Sequence, residues 1–303
     1  MKRIPTTATT NPTTTENKEE RTMRNPTTKA AALTPIEKAA ATVAARHAHA
    51  RELLTRPHDI AARIELVNLI SRAVAYHKSG KIEGLFSLDV SCKNGHFCQA
   101  MQALAPEEGC VCSLCYTNDG HDLAHDAHAI TGDILSQMEL TPAEAAAVAI
   151  PSGFLRFDCD GELINLTHAV NNVRITAAHP LTNCTQWTKR KDLMKAAIRQ
   201  EGKPANLIIG YSSPFINRPL DPAENPEADF IFTVYTPAAI AAALARGEYP
   251  CNGQKCIVCG FHCYKLHQDR KGPVMVAEVL RRPCGMSKAA FEKLCAAIDA
   301  RTL

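Results

Sequence analysis

Along this chain, short apolar runs of strand length alternate with longer amphipathic stretches of helical period. Phe154-Leu155-Arg156-Phe157 alternates with the period of two that a half-buried strand requires. Asn206-Leu207-Ile208-Ile209-Gly210-Tyr211 and Asp229–Tyr235 are continuous apolar runs bounded by turn residues, as in buried strands. Leu85–Val90, Cys184–Lys189 and Val274–Leu280 read as further strands, and helical patterns cover about Asn165–Ala178, Lys191–Gln200, Pro237–Arg246 and Met286–Ala300. This alternation predicts an α/β fold on a mostly parallel sheet, either open or curled into a partial β/α barrel. In such sheets the working groups gather at the carboxyl ends of the strands. Here those ends are Asp158, Asp160 and Glu162, then Thr188 and Lys189, then Ser212 and Ser213.

Upstream, Thr34-Pro35-Ile36-Glu37 is a capping box with proline at the first helical position, opening a helix through about Leu54. After Pro57 an amphipathic helix is expected over about Asp59–His77, carrying Ile60, Ile64, Val67, Leu69, Ile70 and Val74. Both helices, in segment 33–78, read as packing elements ahead of a cysteine-rich α/β domain over 79–303. A second capping box, Thr141-Pro142-Ala143-Glu144, precedes an Ala-rich helix. Residues 1–32, rich in Thr, Asn and Pro with almost nothing apolar to bury, are expected to be a disordered, solvated tail.

Composition narrows the class. At 46% hydrophobic and 21% charged residues the 303-residue chain is that of a globular protein with ample length for a core. A net charge of +3 is too small to argue for nucleic acid by itself, and 5% aromatics give no obvious base-stacking platform. The run Lys189-Arg190-Lys191 and the tail are what would support such a partner. No apolar export segment follows the start and no run of about 18 apolar residues occurs, so neither secretion nor membrane spanning is expected. In a reducing cytoplasm thirteen cysteines favour metal over disulfides.

The cysteines fall into two groups. Cys251, Cys256, Cys259 and Cys263 have the spacing C-x4-C-x2-C-x3-C, whose first part is that of plant-type iron–sulfur sites; zinc also takes four thiolates from short loops. Cys92, Cys98, Cys112 and Cys115 form the second set, directly after the Leu85–Val90 strand, with Cys110 the fifth thiol and the one left out. Cys159, Cys184, Cys284 and Cys295 are isolated and read as core residues, the first two on strands near the site. His121, His125 and His128 share a helix face, but no HExxH pattern accompanies them, so they read as surface or supporting histidines. Lys189 at a strand end would supply positive charge or a proton, Glu162 and Asp160 acid/base groups, and Arg156 a position for an anionic substrate.

Taken in order, several of these pieces resemble the "gene product 88" domain family of phages and related mobile elements. They are Cys92, Cys98, Cys112, Cys115-Tyr116, Arg156, Gly161-Glu162, Trp187-Thr188-Lys189, Asn206, Tyr211-Ser212-Ser213 and Cys256-x2-Cys259-x3-Cys263-Tyr264, spanning about residues 80–270. The resemblance implies a domain akin to radical-SAM-like partial β/α barrels, a 4Fe–4S iron–sulfur centre in preference to zinc, and a mobile-element role. The chain departs from the radical SAM signature C-x3-C-x2-C: its tail thiols run C-x2-C-x3-C from Cys256 and its first loop C-x-C-x2-C from Cys110. That departure argues against SAM as a cofactor.

Overall fold

The computed structural model describes residues 33–115, 122–251, 253–259, 263–264 and 272–302. The expected tail 1–32, Tyr116 and His121 lie outside the described residues. Helix α1 (Pro35–Leu54) starts where expected: the Thr34 hydroxyl accepts from Glu37 N–H, and the Glu37 carboxylate accepts from Thr34 N–H. Asp59 caps α2 (Ile60–Ala73) by accepting from the N–H groups of Ala61 and Ala62. The helix ends earlier than the predicted His77, because the chain turns extended at Val74 to form β1 (Ala75–Tyr76). There the Tyr76 ring meets Phe86, with centroids 5.1 Å apart.

The remaining elements are β2 (Phe86–Leu88), α3 (His96–Gln102), two 3-10 turns (Pro106–Glu108 and Val111–Leu114), α4 (Asp122–Gln137) and α5 (Pro142–Ala147). Then come β3 (Gly153–Phe157), α6 (Leu166–Ala178), β4 (Thr182–Thr188), α7 (Lys191–Glu201), β5 (Leu207–Ser212) and β6 (Phe230–Tyr235). The chain closes with α8 (Ile240–Ala245), β7 (Tyr249–Pro250), α9 (Cys256–Cys259), β8 (Val274–Val279) and α10 (Lys288–Thr302). One eight-stranded sheet holds the strands in the order β1-β2-β3-β4-β5-β6-β8-β7. It is open, with β1 and β7 as its edges, and parallel everywhere except between β1 and β2. Of the two arrangements expected, the open sheet is the one found.

From β2 to β6 each strand lies beside its predecessor, and crossovers of one hand then send the connecting helices to one face. On that helical face Leu88, Leu155, Phe157, Cys184, Leu207, Ile209 and Tyr211 share a core with Leu66 and Ile70 of α2, Ile134 of α4 and Val173 of α6. The N-terminal helices therefore belong to the same core as the sheet. The alternate residues face the other way. Ile208, Phe230, Phe232, Val234 and Val276 form a second core with Leu294, Cys295 and Ile298 of α10, against which Trp187, Cys251 and Cys263 pack. This second face is where the cysteine loops lie.

Two charged clamps hold the helical layer. Arg174 reaches Glu201 of α7 at 2.8 Å, and Arg63 of α2 grips Glu144 with two contacts of 2.6 Å. The Arg63 hydrogen bonds hold the Glu144 carboxyl down from the usual 4.5 to about 2. A carboxylate depressed on folding adds stability above its unfolded value and loses it as pH falls through the folded one. Glu144→Gln should therefore lower Tm by roughly 2 °C at pH 7. The gap from wild type should begin to close below about pH 4.5 and vanish near pH 2. Thermal melts across that range read it directly, and a gap that stays constant with pH would reject the charge assignment.

Candidate metal centres

The carboxyl ends of β2, β3 and β4 lie side by side, so three loops converge there. Two features shape the loop after β3. Asp158 takes a left-handed conformation with φ 57°, and Gly161 lies so close to Val90 that a Cβ would stand 2.4 Å from the Val90 carbonyl oxygen. The turn delivers Glu162 into the structure as an anchor. Its carboxylate accepts from the Thr188 hydroxyl in a short contact, from Lys189 N–H at 2.7 Å and from Leu163 N–H at 2.9 Å. Beneath it, Gln186 donates to Asp158 at 2.7 Å and accepts from Asn172 at 2.8 Å. Burial pushes the Asp158 carboxyl far up and the adjacent His168 down to about 3, so this layer holds few charges. Glu162, expected as an acid or base, is thus buried with both oxygens engaged, and it ties the end of β3 to the end of β4.

The first thiol group forms around Lys189. Cys92 follows β2, Cys98 sits on α3, Cys112 lies in the second 3-10 turn and Cys115 ends it. Burial pushes Cys98 up to about 12, assisted by Glu162, Cys92 and Cys115 and opposed by Lys189. Burial also pulls the Lys189 ammonium down, but Cys112, Glu162, Cys115 and Cys98 outweigh that and leave it raised. Cys110, the thiol set aside on sequence, is fully buried beside Cys112. Its Sγ donates to the Met101 carbonyl at 3.3 Å, and its interaction with Cys112 lowers Cys110 while raising Cys112. His125 is buried with its Nδ1 4.0 Å from Cys92 Sγ, so it supports this group from α4.

The tail thiols assemble separately. Cys251 follows β7 and its N–H donates to Ala277 O at 2.7 Å; Cys256 and Cys259 bound α9; Cys263 precedes the buried Tyr264. Burial drives Cys263 up to about 12, and Cys251, Cys256 and Cys259 act in the same direction. Burial also raises Cys256, with Lys81 and Arg156 opposing. Arg156 projects from β3 onto this face. Its guanidinium lies 4.7 Å from the Trp187 ring centroid and 3.5 Å from the Tyr264 hydroxyl, to which it donates. Thr185, two residues before Trp187, donates to Cys263 O at 3.2 Å.

The thiols fall into two electrostatic neighbourhoods, one beside Lys189 and one beside Arg156 and Lys81. Four thiolates around a dicationic ion or cluster core would leave net negative charge, which these cations would offset. Of the basic run, Lys189 faces the thiols, while Arg190 is paired with Asp192 at 2.8 Å and stacked 5.5 Å from the Phe97 centroid. Ser213, just past the end of β5, donates to Phe215 O and Arg218 O within its own loop, which is bridged to Cys110 through Phe215. Asn206 donates to the carbonyls of Thr176, His179 and Thr182, a clamp on the α6–β4 turn.

Sequence reasoning missed a third gathering of donors. Among the described residues, His77, Asp89 and Cys159 bring ligand atoms within 4.8 Å of one another, and so do Asp89, His128 and Asp160. The one available signal was position: Asp89, Cys159 and Asp160 all stand just past strand ends. No helix of the described residues is long and apolar enough to cross a membrane. No family model, curated protein or solved structure matches this chain.

Proposed function

We propose that this chain holds two thiolate-bound metal centres, iron–sulfur clusters of the 4Fe–4S kind with zinc as the alternative occupant. We further propose that it performs redox or radical-type chemistry for a phage or mobile element, working in the cytoplasm. The observation that carries this reading is the pairing of each cysteine quartet with buried or half-buried cations on one face of the sheet. Cys92, Cys98, Cys112 and Cys115 would hold the first centre, and Cys251, Cys256, Cys259 and Cys263 the second. An iron–sulfur cluster, when bound, supplies one-electron transfer. The protein's own groups then have distinct tasks. Lys189 keeps a positive charge against the first quartet. Arg156, fixed over Trp187, offers its guanidinium to an anionic substrate beside the second. Asp160 is held ionised chiefly by its contact with His128. The departures from C-x3-C-x2-C leave SAM out of this reading.

A metal-stabilised nucleic-acid-binding or host-interaction module is the competing reading, and Lys189 and Arg190 of its basic run are already engaged, by the thiols and by Asp192. Iron, acid-labile sulfide and the absorption spectrum of protein purified without oxygen decide between them. About eight irons per chain with matching sulfide are expected. Colourless protein with zinc and no sulfide would overturn the redox reading and leave the binding module.

A further inference from the structure

We infer that Asp89 is the central ligand of a separate mixed-donor site for a divalent metal ion of the zinc class. The donors are His77, Asp89 and Cys159 on one side and Asp89, His128 and Asp160 on the other, each trio within 4.8 Å. They come from four segments: the end of β1, the end of β2, the loop after β3 and the middle of α4. One sulfur, two imidazoles and two carboxylates are the set that borderline divalent ions select over hard magnesium or calcium.

The surroundings are organised as a metal site requires. Asp89 is 3% exposed and is held by the Ser87 hydroxyl at 2.6 Å and by Cys159 N–H at 2.6 Å. His77 Nε2 lies 2.7 Å from Ser87 Oγ, which itself donates to Asp89, so a hydrogen-bonded partner orients the ring as outer groups orient ligating histidines. His128 Nδ1 is buried without a hydrogen-bond partner among the described residues and lies 3.2 Å from Asp160 Oδ2. Two donors aimed at a common point take that arrangement. This assigns Asp160 a ligand's role in place of the acid/base role expected from sequence.

The inference stands whatever the quartets hold. The test is zinc uptake by the full chain, purified without oxygen and dialysed against buffered zinc. Zinc, iron and sulfide are counted in the same samples for wild type, Asp89→Asn, His77→Gln and His128→Gln, with circular dichroism checking the fold. Asp89→Asn should bind about one zinc fewer per chain, with iron and sulfide unchanged. A loss in His77→Gln assigns the ion to the first trio, a loss in His128→Gln to the second, and losses in both to a pair bridged by Asp89. Both histidine variants retaining wild-type zinc would overturn the inference, even if Asp89→Asn failed to fold. Absence of iron would sink the reading of the quartets and leave this zinc difference to be judged separately.

Discussion

Alanine at Cys259 should strip the tail quartet of its metal and leave the first quartet loaded, and alanine at Cys115 should do the reverse. Each variant would keep about half of the wild-type iron and sulfide, about four irons per chain, and the double variant would keep none in the quartets. The expectation follows from the separation of the two groups. Cys263 is perturbed by Cys251, Cys256 and Cys259, whereas Lys189 is surrounded by Cys112, Cys115 and Cys98. Losing one of four thiolates opens the coordination shell, and the buried partners then favour their protonated forms. Because binding free energy is also folding free energy, each variant should melt at a lower temperature, with the loss confined to protein carrying metal. If either single substitution emptied both quartets, the eight cysteines would form one centre.

Gly161→Ala should destabilise the molecule strongly. The added Cβ would lie 2.4 Å from Val90 O, 2.9 Å from Val90 C and 2.6 Å from Val90 Cγ2, so backbone has to move. The loop cannot yield at little cost, because Glu162 on one side is bonded to Thr188 and Lys189, and Cys159 on the other is bonded to Asp89. Overpacking of this kind costs about 3 kcal/mol, or roughly 6–12 °C in Tm. Gly272→Ala, where nothing lies within 4 Å of the added carbon, is the control and should change Tm by less than about 2 °C. The loop also carries Asp160, so Gly161→Ala should cut zinc uptake along with stability. Equal melting temperatures for the two variants would refute the close approach.

Much of the fold was legible because it rests on local rules. The capping boxes at Thr34 and Thr141 mark helix starts found in the structure, and the strands around Leu155, Ile208 and Phe232 follow from alternation or apolar runs. Helix α3 and the two 3-10 turns went unread because cysteine-bearing loops have no hydrophobic period to betray them. The two cysteine groups were visible as spacings, but their separate cations were not. Arg156 meets the tail loop across 108 residues, through Tyr264. Asp89 and Cys159 lie 70 residues apart, and only the parallel pairing of β2 with β3 brings them together. Lys189 was legible as a strand-end group, and its place past the end of β4 sets it beside Cys112, Cys115 and Cys98.

The tail loop rests on parts made much earlier in the chain. Cys256 N–H donates to Lys81 O at 2.7 Å, Lys255 pairs with Glu83 at 2.8 Å, and Ile257 packs against Gly84. During synthesis, therefore, the docking ledge and its positive charges exist before the sulfurs that they will face. The sheet from β2 to β6 can form while the tail is still unmade, and the last cysteine loop then closes over a finished surface. The proposed second centre would then be loaded last, only in chains translated past Cys263.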